Sequence, residues 1–201
     1  MSRLSLTSWS NREKVRNSIK QNQGSFFLLG KISLFLHHKF KSMTPYFEML
    51  DETEYQQLKD ALALITIYIA GADGSIEKEE MEWAEKVTEI RSYKMSEDLL
   101  GFYQELNADF HEKVNAYLKK LPGTTDERNT EIEAKLASLN PIMAKLDVKV
   151  GAHLYRSYTS FAKHVAKATG GFLGFFSISP KEKALLGLTM ITPIISDDEE
   201  E

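Results

Sequence analysis

The sequence predicts an all-α protein, and three features predict it. Apolar residues recur at three- and four-residue spacing along nearly the whole chain, which puts them on one face of a helix. Glycine (11) and proline (5) are few among 201 residues, and they cluster between those periodic runs, where helices stop and start. No stretch alternates apolar and polar residues as a half-buried strand does.

The elements follow in order. Ser10 and Glu13 have the S-x-x-E form of a capping box and open a short helix that runs to about Asn22. A second helix covers 26–41, with Phe26, Leu29, Leu36 and Phe40 among its apolar positions, and Pro45 closes that unit. Asp51 and Glu54 can open the next helix, where Leu58, Leu62, Ile65 and Ile69 line one side. Its other side (Ala61, Leu64, Tyr68) is also apolar, so this helix should be central and buried on most faces. Gly71 to Gly74 break it. Helices are then expected over 77–92, from Ser96 through Leu106, over 109–120 up to Leu121-Pro122-Gly123, and over 126–139. One long periodic stretch follows from Ile142 to Thr169 and ends at Gly170 and Gly171. The last helix starts at Ser179, with Pro180 in its first turn and Glu182 completing a capping box.

Charge divides the chain further. Residues 1–50 carry eight Lys/Arg against two acids, whereas residues 51–106 carry five against fourteen. The expected organisation is a basic helical extension at 1–48, a single helical bundle at 49–195, and an acidic tail at 196–201 that self-repulsion keeps disordered. The basic extension either docks on the acidic body of its own chain or touches an anionic surface.

Composition excludes several functions. At 42% hydrophobic and 27% charged, the chain has the make-up of an ordinary soluble globular protein. Zero cysteines remove disulfides, thiol nucleophiles and thiolate zinc sites. No apolar run reaches the roughly 18–20 residues that span a bilayer. The strongest candidate, Ser25–Leu36, is short and interrupted by Lys31, and Met1–Ser10 lacks the apolar core of a secretory signal. A cytoplasmic location is therefore expected. An isoelectric point near 5.8 and the absence of any reader motif argue against nucleic acid.

Catalytic patterns are missing as well. None of the five histidines (37, 38, 111, 153 and 164) stands at the E-x-x-H spacing of a di-iron bundle, and H-E-x-x-H, G-x-S-x-G and P-loop motifs are absent. Gly170, Gly171 and Gly174 follow a helix and not a strand, so they mark a turn and not a dinucleotide site. No enzymatic activity is expected.

Two features remain as candidate sites. Laid on a calcium loop, Asp73 falls at the fifth position, Gly74 at the sixth, Ile76 at the eighth and Glu80 at the twelfth, but Ile69 and Gly71 occupy the first and third. With two carboxylates lost, Asp73 and Glu80 could hold calcium or magnesium only weakly. Alternatively Asp73 makes an Asx turn, Gly74 takes positive φ, and Glu80 complements the positive end of the new helix. The second feature is a stripe of Lys149, His153, Arg156, Lys163, His164 and Lys167 along one face of the long helix, opposite Val150, Leu154, Tyr158, Phe161 and Val165. Glu82, Glu85 and Glu89 make an acidic counterpart after Glu77. Each stripe is either a solvated face or, for the cationic one, a contact for an anionic protein or membrane surface.

Ser75 to Glu80 and Ser177 to Glu182 echo each other at an offset of 102 residues, each with Ser-Ile before a helix start and a glutamate four positions after the isoleucine. This suggests a pseudo-repeat. Ile69 to Ile76 with Glu80 resembles the first signature of the TerB-like (tellurite-resistance) domain, and Val165 to Ser179 with Glu182 resembles the second. Asp73, Gly74 and Glu80 match the first motif; Gly170, Gly171 and Glu182 match the second, while Phe175 replaces its aspartate. The resemblance covers about residues 50–195. It implies an all-helical bundle without known enzymatic activity, while the echo itself predicts that Ile76 and Ile178 occupy related core positions beneath the two helix starts. It further implies a bacterial stress-response or defence role as an interaction or sensing module with a protein partner, and acidic loop residues proposed to hold a metal. The family includes a domain of a membrane-anchored J-domain co-chaperone. The alternative expectation is a peripheral adaptor at the inner membrane, with the basic N-terminal segment as an in-plane anchor.

Overall fold

In the computed structural model the described residues are 44–72, 74, 76, 78–168 and 184–196, all within the unit Met43–Glu201. They are all-helical. We number the helices α1 (Glu52–Ala70), α2 (Lys78–Lys94), α3 (Glu97–Lys120), α4 (Thr125–Ala137) and α5 (Val148–Ala168). A 3-10 turn at Pro45–Phe47 and a single helical turn at Asn140–Met143 complete the described elements. The expected helices at 10–22, at 26–41 and from Ser179 lie outside the described residues.

The α1 helix starts as the sequence predicts. Asp51 Oδ1 accepts from the Glu54 amide at 2.9 Å and Glu54 Oε2 accepts from the Asp51 amide at 3.2 Å, a complete capping box. From Ala61 to Ala70 every residue is buried, and Leu58, Leu62, Ile65 and Ile69 have no exposed surface. Over these ten residues the helix has no solvent face, so other elements must enclose it: α2, α3, α4 and α5 all pack against α1.

Polar groups on α1 then fix where its neighbours sit. Lys59 Nζ pairs with Glu105 of α3 at 3.1 Å, both nearly enclosed. Asp60 accepts from the Tyr117 hydroxyl at 2.8 Å and pairs with Lys113, also on α3. The Tyr68 hydroxyl donates to Glu133 of α4 at 2.6 Å, and the Tyr158 hydroxyl of α5 donates to the Leu58 carbonyl at 2.7 Å. Burial, reinforced by these carboxylates, holds the phenols of Tyr68 and Tyr117 well above the usual tyrosine range. Each contact satisfies a group that would be costly to bury alone.

Two boundaries differ from the sequence reading. Residues 97–120 form one helix and not two. Asn107 and Asp109 are mild helix formers, costing at most about 0.7 kcal/mol each, while Leu99, Phe102, Tyr103, Leu106, Phe110 and Val114 form a continuous buried seam across them. Conversely, the periodic stretch from Ile142 breaks at 144–147. Asp147 Oδ1 accepts from the Lys149 amide at 2.9 Å and its carbonyl accepts from Gly151 N at 2.8 Å, so a new helix starts there without glycine or proline to announce it.

The ends of the described chain are fastened to this frame. Phe47 stacks on Phe102 (5.4 Å between centroids) and tilts against Tyr55 (5.3 Å). Gly101 is required there, because a Cβ at that position would lie 2.2 Å from Thr44 Cγ2. At the other end the Asn140 side chain clamps the returning segment, donating to Met190 O at 3.0 Å and accepting from Thr192 N at 2.8 Å. Leu188 and Ile191 are buried beside it.

Truncating Leu62 to alanine should cost about 2–5 kcal/mol of stability in chemical denaturation. A loss below about 0.5 kcal/mol would show that α1 is peripheral.

Candidate functional site

The loop after α1 begins with a cation. Arg128 of α4 is 7% exposed and its Nη2 donates to the Gly71 carbonyl at 2.9 Å, at the end of α1 where carbonyls lack helical partners. Gly74 has φ of +100° with its amide bonded to Gly71 O at 3.2 Å, the positive φ that the turn reading expects. Ile76 packs against the core, half-buried. Glu80, in the first turn of α2, is 1% exposed and is engaged with a partner. Asp73 lies outside the described residues, as do Gly170, Gly171, Ile178 and Glu182, so the related placement of the two isoleucines is not on view. Among the described residues no three His, Asp or Glu side chains come together as a metal would need. Of the two candidate ligands only Glu80 is described: it is enclosed, and Arg128 brings positive charge to the same turn.

The cationic stripe does share one side of α5, but packing divides it. Near the C-terminal end Lys163, His164 and Lys167 are exposed. His164 meets Trp83 of α2, whose indole N–H donates to the His164 carbonyl at 3.0 Å while 43% of the tryptophan stays in water. Near the N-terminal end Lys149, His153 and Arg156 line two adjoining clefts that have Ser96 and His153 in common. Lys149 and Arg156 have further contacts of their own.

The larger cleft, about 490 Å³, has an apolar wall of Pro45, Tyr46, Met49 and Val150 facing Glu97, Asp98 and Asp147. Glu97, which faces the Tyr46 phenol, is the chief cause that raises its pKa. His153 Nδ1 meets Asp98 Oδ2 at 2.5 Å between the clefts, and the other Asp98 oxygen is buried without a hydrogen bond. The smaller cleft, about 300 Å³, is lined by Arg91, Arg156, His153 and three serines at 96, 157 and 160 among its residues.

Arg91 of α2 was not singled out by the sequence reading. Its Nη1 donates to the Tyr103 hydroxyl (2.8 Å) and to the Ser157 carbonyl (2.8 Å) and hydroxyl (2.9 Å), and Nη2 to Ser160 Oγ (3.2 Å). The rings of Tyr103 and Phe161 each lie 5.4 Å from its guanidinium carbon. The signal was present in the spacing: Ala84, Val87, Thr88 and Arg91 fall at i, i+3, i+4 and i+7, so Arg91 sits on the inward face of α2. Trp83 and Asp98 carried no such pattern.

A carboxylate–imidazole pair beside a serine invites a hydrolytic reading. The chemistry present argues against it, since Ser157 Oγ accepts from Arg91 and shares a 2.5 Å bond with the Tyr103 hydroxyl. Hydrogen bonding to a cation withdraws electron density from that oxygen, the opposite of activation by a base.

No family model, curated protein or solved structure matches the chain. No helix among the described residues is long and apolar enough to cross a membrane.

Replacing Gly74 with alanine should cost about 1–2 kcal/mol, the price of left-handed backbone for a residue with a Cβ. The space itself is open, Thr125 Oγ1 at 3.7 Å being an ordinary contact, so conformation alone sets the effect. An unchanged denaturation midpoint would show that the turn relaxes to negative φ.

Proposed function

We propose that this chain is a non-catalytic interaction or sensing module of a bacterial stress-response or defence system, the role its TerB-like signatures imply, acting in the cytoplasm through a protein partner. The observation that supports it is Trp83. A tryptophan left 43% exposed, bonded to the carbonyl of His164 on a helix that also exposes Lys163 and Lys167, has the character of an interface anchor, since Trp is enriched among the residues that carry binding energy. The partner this favours is an acidic protein surface with an apolar point of contact.

The test is affinity purification of the tagged full chain from its native host, with Trp83→Ala and a Lys163→Glu/Lys167→Glu double variant in parallel. A specific partner should be retained by the wild type and weakened at least about thirtyfold by Trp83→Ala, the effect of a 2 kcal/mol hot spot. A partner retained equally by all three proteins would place the interface elsewhere. Co-sedimentation with anionic vesicles that depends on Lys39 and Lys41 would favour the peripheral membrane adaptor instead.

A weak divalent site at Asp73 and Glu80, which the motif supports and the Arg128 cation opposes, is the alternative to a turn and helix cap without metal. Millimolar calcium or magnesium should leave the melting temperature of the wild type unchanged. A rise that Asp73→Asn abolishes would establish the metal.

A further inference from the structure

The guanidinium of Arg91 is a permanent cation, and Arg91 is 8% exposed. Buried charges are ordinarily met by an opposite charge, because desolvating an ion without compensation is costly. All four hydrogen bonds of Arg91 go to neutral oxygens, and its remaining neighbours are two aromatic rings. Among the described residues no carboxylate pairs with it. Asp98 gives one oxygen to His153 and lines the neighbouring cleft. The charge is therefore held in place by a built shell, is met by no carboxylate among the described residues, and forms part of the wall of a 300 Å³ cleft.

The rest of that wall suits an anion. Arg156 and His153 stand on it, one turn apart on α5, and Ser96, Ser157 and Ser160 bring hydroxyl groups. Among the described residues no acid lines it. We propose that this cleft between α2, α3 and α5 binds a phosphate group, with Arg91 as the buried counter-charge and Arg156 and His153 at its sides. Guanidinium groups match phosphate geometry through paired N–H donors, which is why arginine is favoured at such sites. The phosphate is either free or carried by a small organic molecule. The second source has room, because the adjoining 490 Å³ cleft continues past His153 with its own apolar wall and with carboxylates able to accept from hydroxyl or amine groups. This site is separate from the Trp83 face and does not depend on it.

The experiment is a titration of the full chain with inorganic phosphate and, separately, with glycerol 3-phosphate, against sodium chloride at matched ionic strength. Melting temperature and heat of binding are read for wild type, Arg91→Met, Arg156→Gln and Trp83→Ala. Wild type and Trp83→Ala should bind alike, Arg156→Gln should bind about tenfold more weakly, and Arg91→Met should show no saturable response. Methionine fills similar volume, and Tyr103 and Ser157 remain bonded to each other at 2.5 Å. Should that variant fail to fold, Arg156→Gln alone carries the test. A stronger response to the ester supports an ester reaching the second cleft, and equal responses support free phosphate. A wild-type response no larger than that to chloride, or an undiminished response in Arg156→Gln, overturns the proposal.

Discussion

A helix that cannot face water dictates this fold. Ten consecutive residues of α1, Ala61 to Ala70, are buried, so its formation is inseparable from enclosure by α2, α3, α4 and α5. Apolar burial supplies the drive at roughly 25 cal/mol per Å² but is indifferent to direction. Direction comes from the polar groups that go inside with it. Lys59 and Asp60 select α3, Tyr68 selects α4, and the Leu58 carbonyl selects Tyr158 of α5. A neighbour displaced by one turn would leave one of these groups unsatisfied at a cost of about 1–3 kcal/mol.

The central helix was legible in the sequence because two independent signals agreed: a capping box at Asp51 and Glu54, and apolar residues on both sides of the helix. Other boundaries were legible where a capping residue, glycine or proline marked them against the apolar spacing. Residues 107–109 were read as an interruption because three polar or small residues fall together, yet a buried seam on the opposite side carries α3 through. The break at 144–147 was missed for the converse reason. Its cap is a lone aspartate inside a run whose apolar spacing continues on either side.

The sites show the same contrast. Spacing placed Lys149, His153, Arg156, Lys163, His164 and Lys167 on one side of α5, and that is where they lie. Spacing along one helix says nothing of what stands opposite, and this decides the chemistry. Asp98, 55 residues away in sequence, pairs with His153, and Arg91, 66 residues from Ser157, makes the clefted half of the stripe polar and cationic to its floor. At the other end Trp83 supplies an apolar centre from a different helix. Around Gly74 the turn geometry was legible from residue type, whereas Arg128, which alters the charge of that turn, approaches from α4.

Native-state hydrogen exchange tests the primacy of α1 most directly. If its enclosure organises the bundle, the amides of residues 61–70 should exchange only through global unfolding, with the highest protection in the chain and the same denaturant dependence as the unfolding transition. The more exposed faces of α2 and α4 should open at lower free energy. Exchange of the α1 amides through a local opening, at protection below that of α2 or α4, would contradict the account.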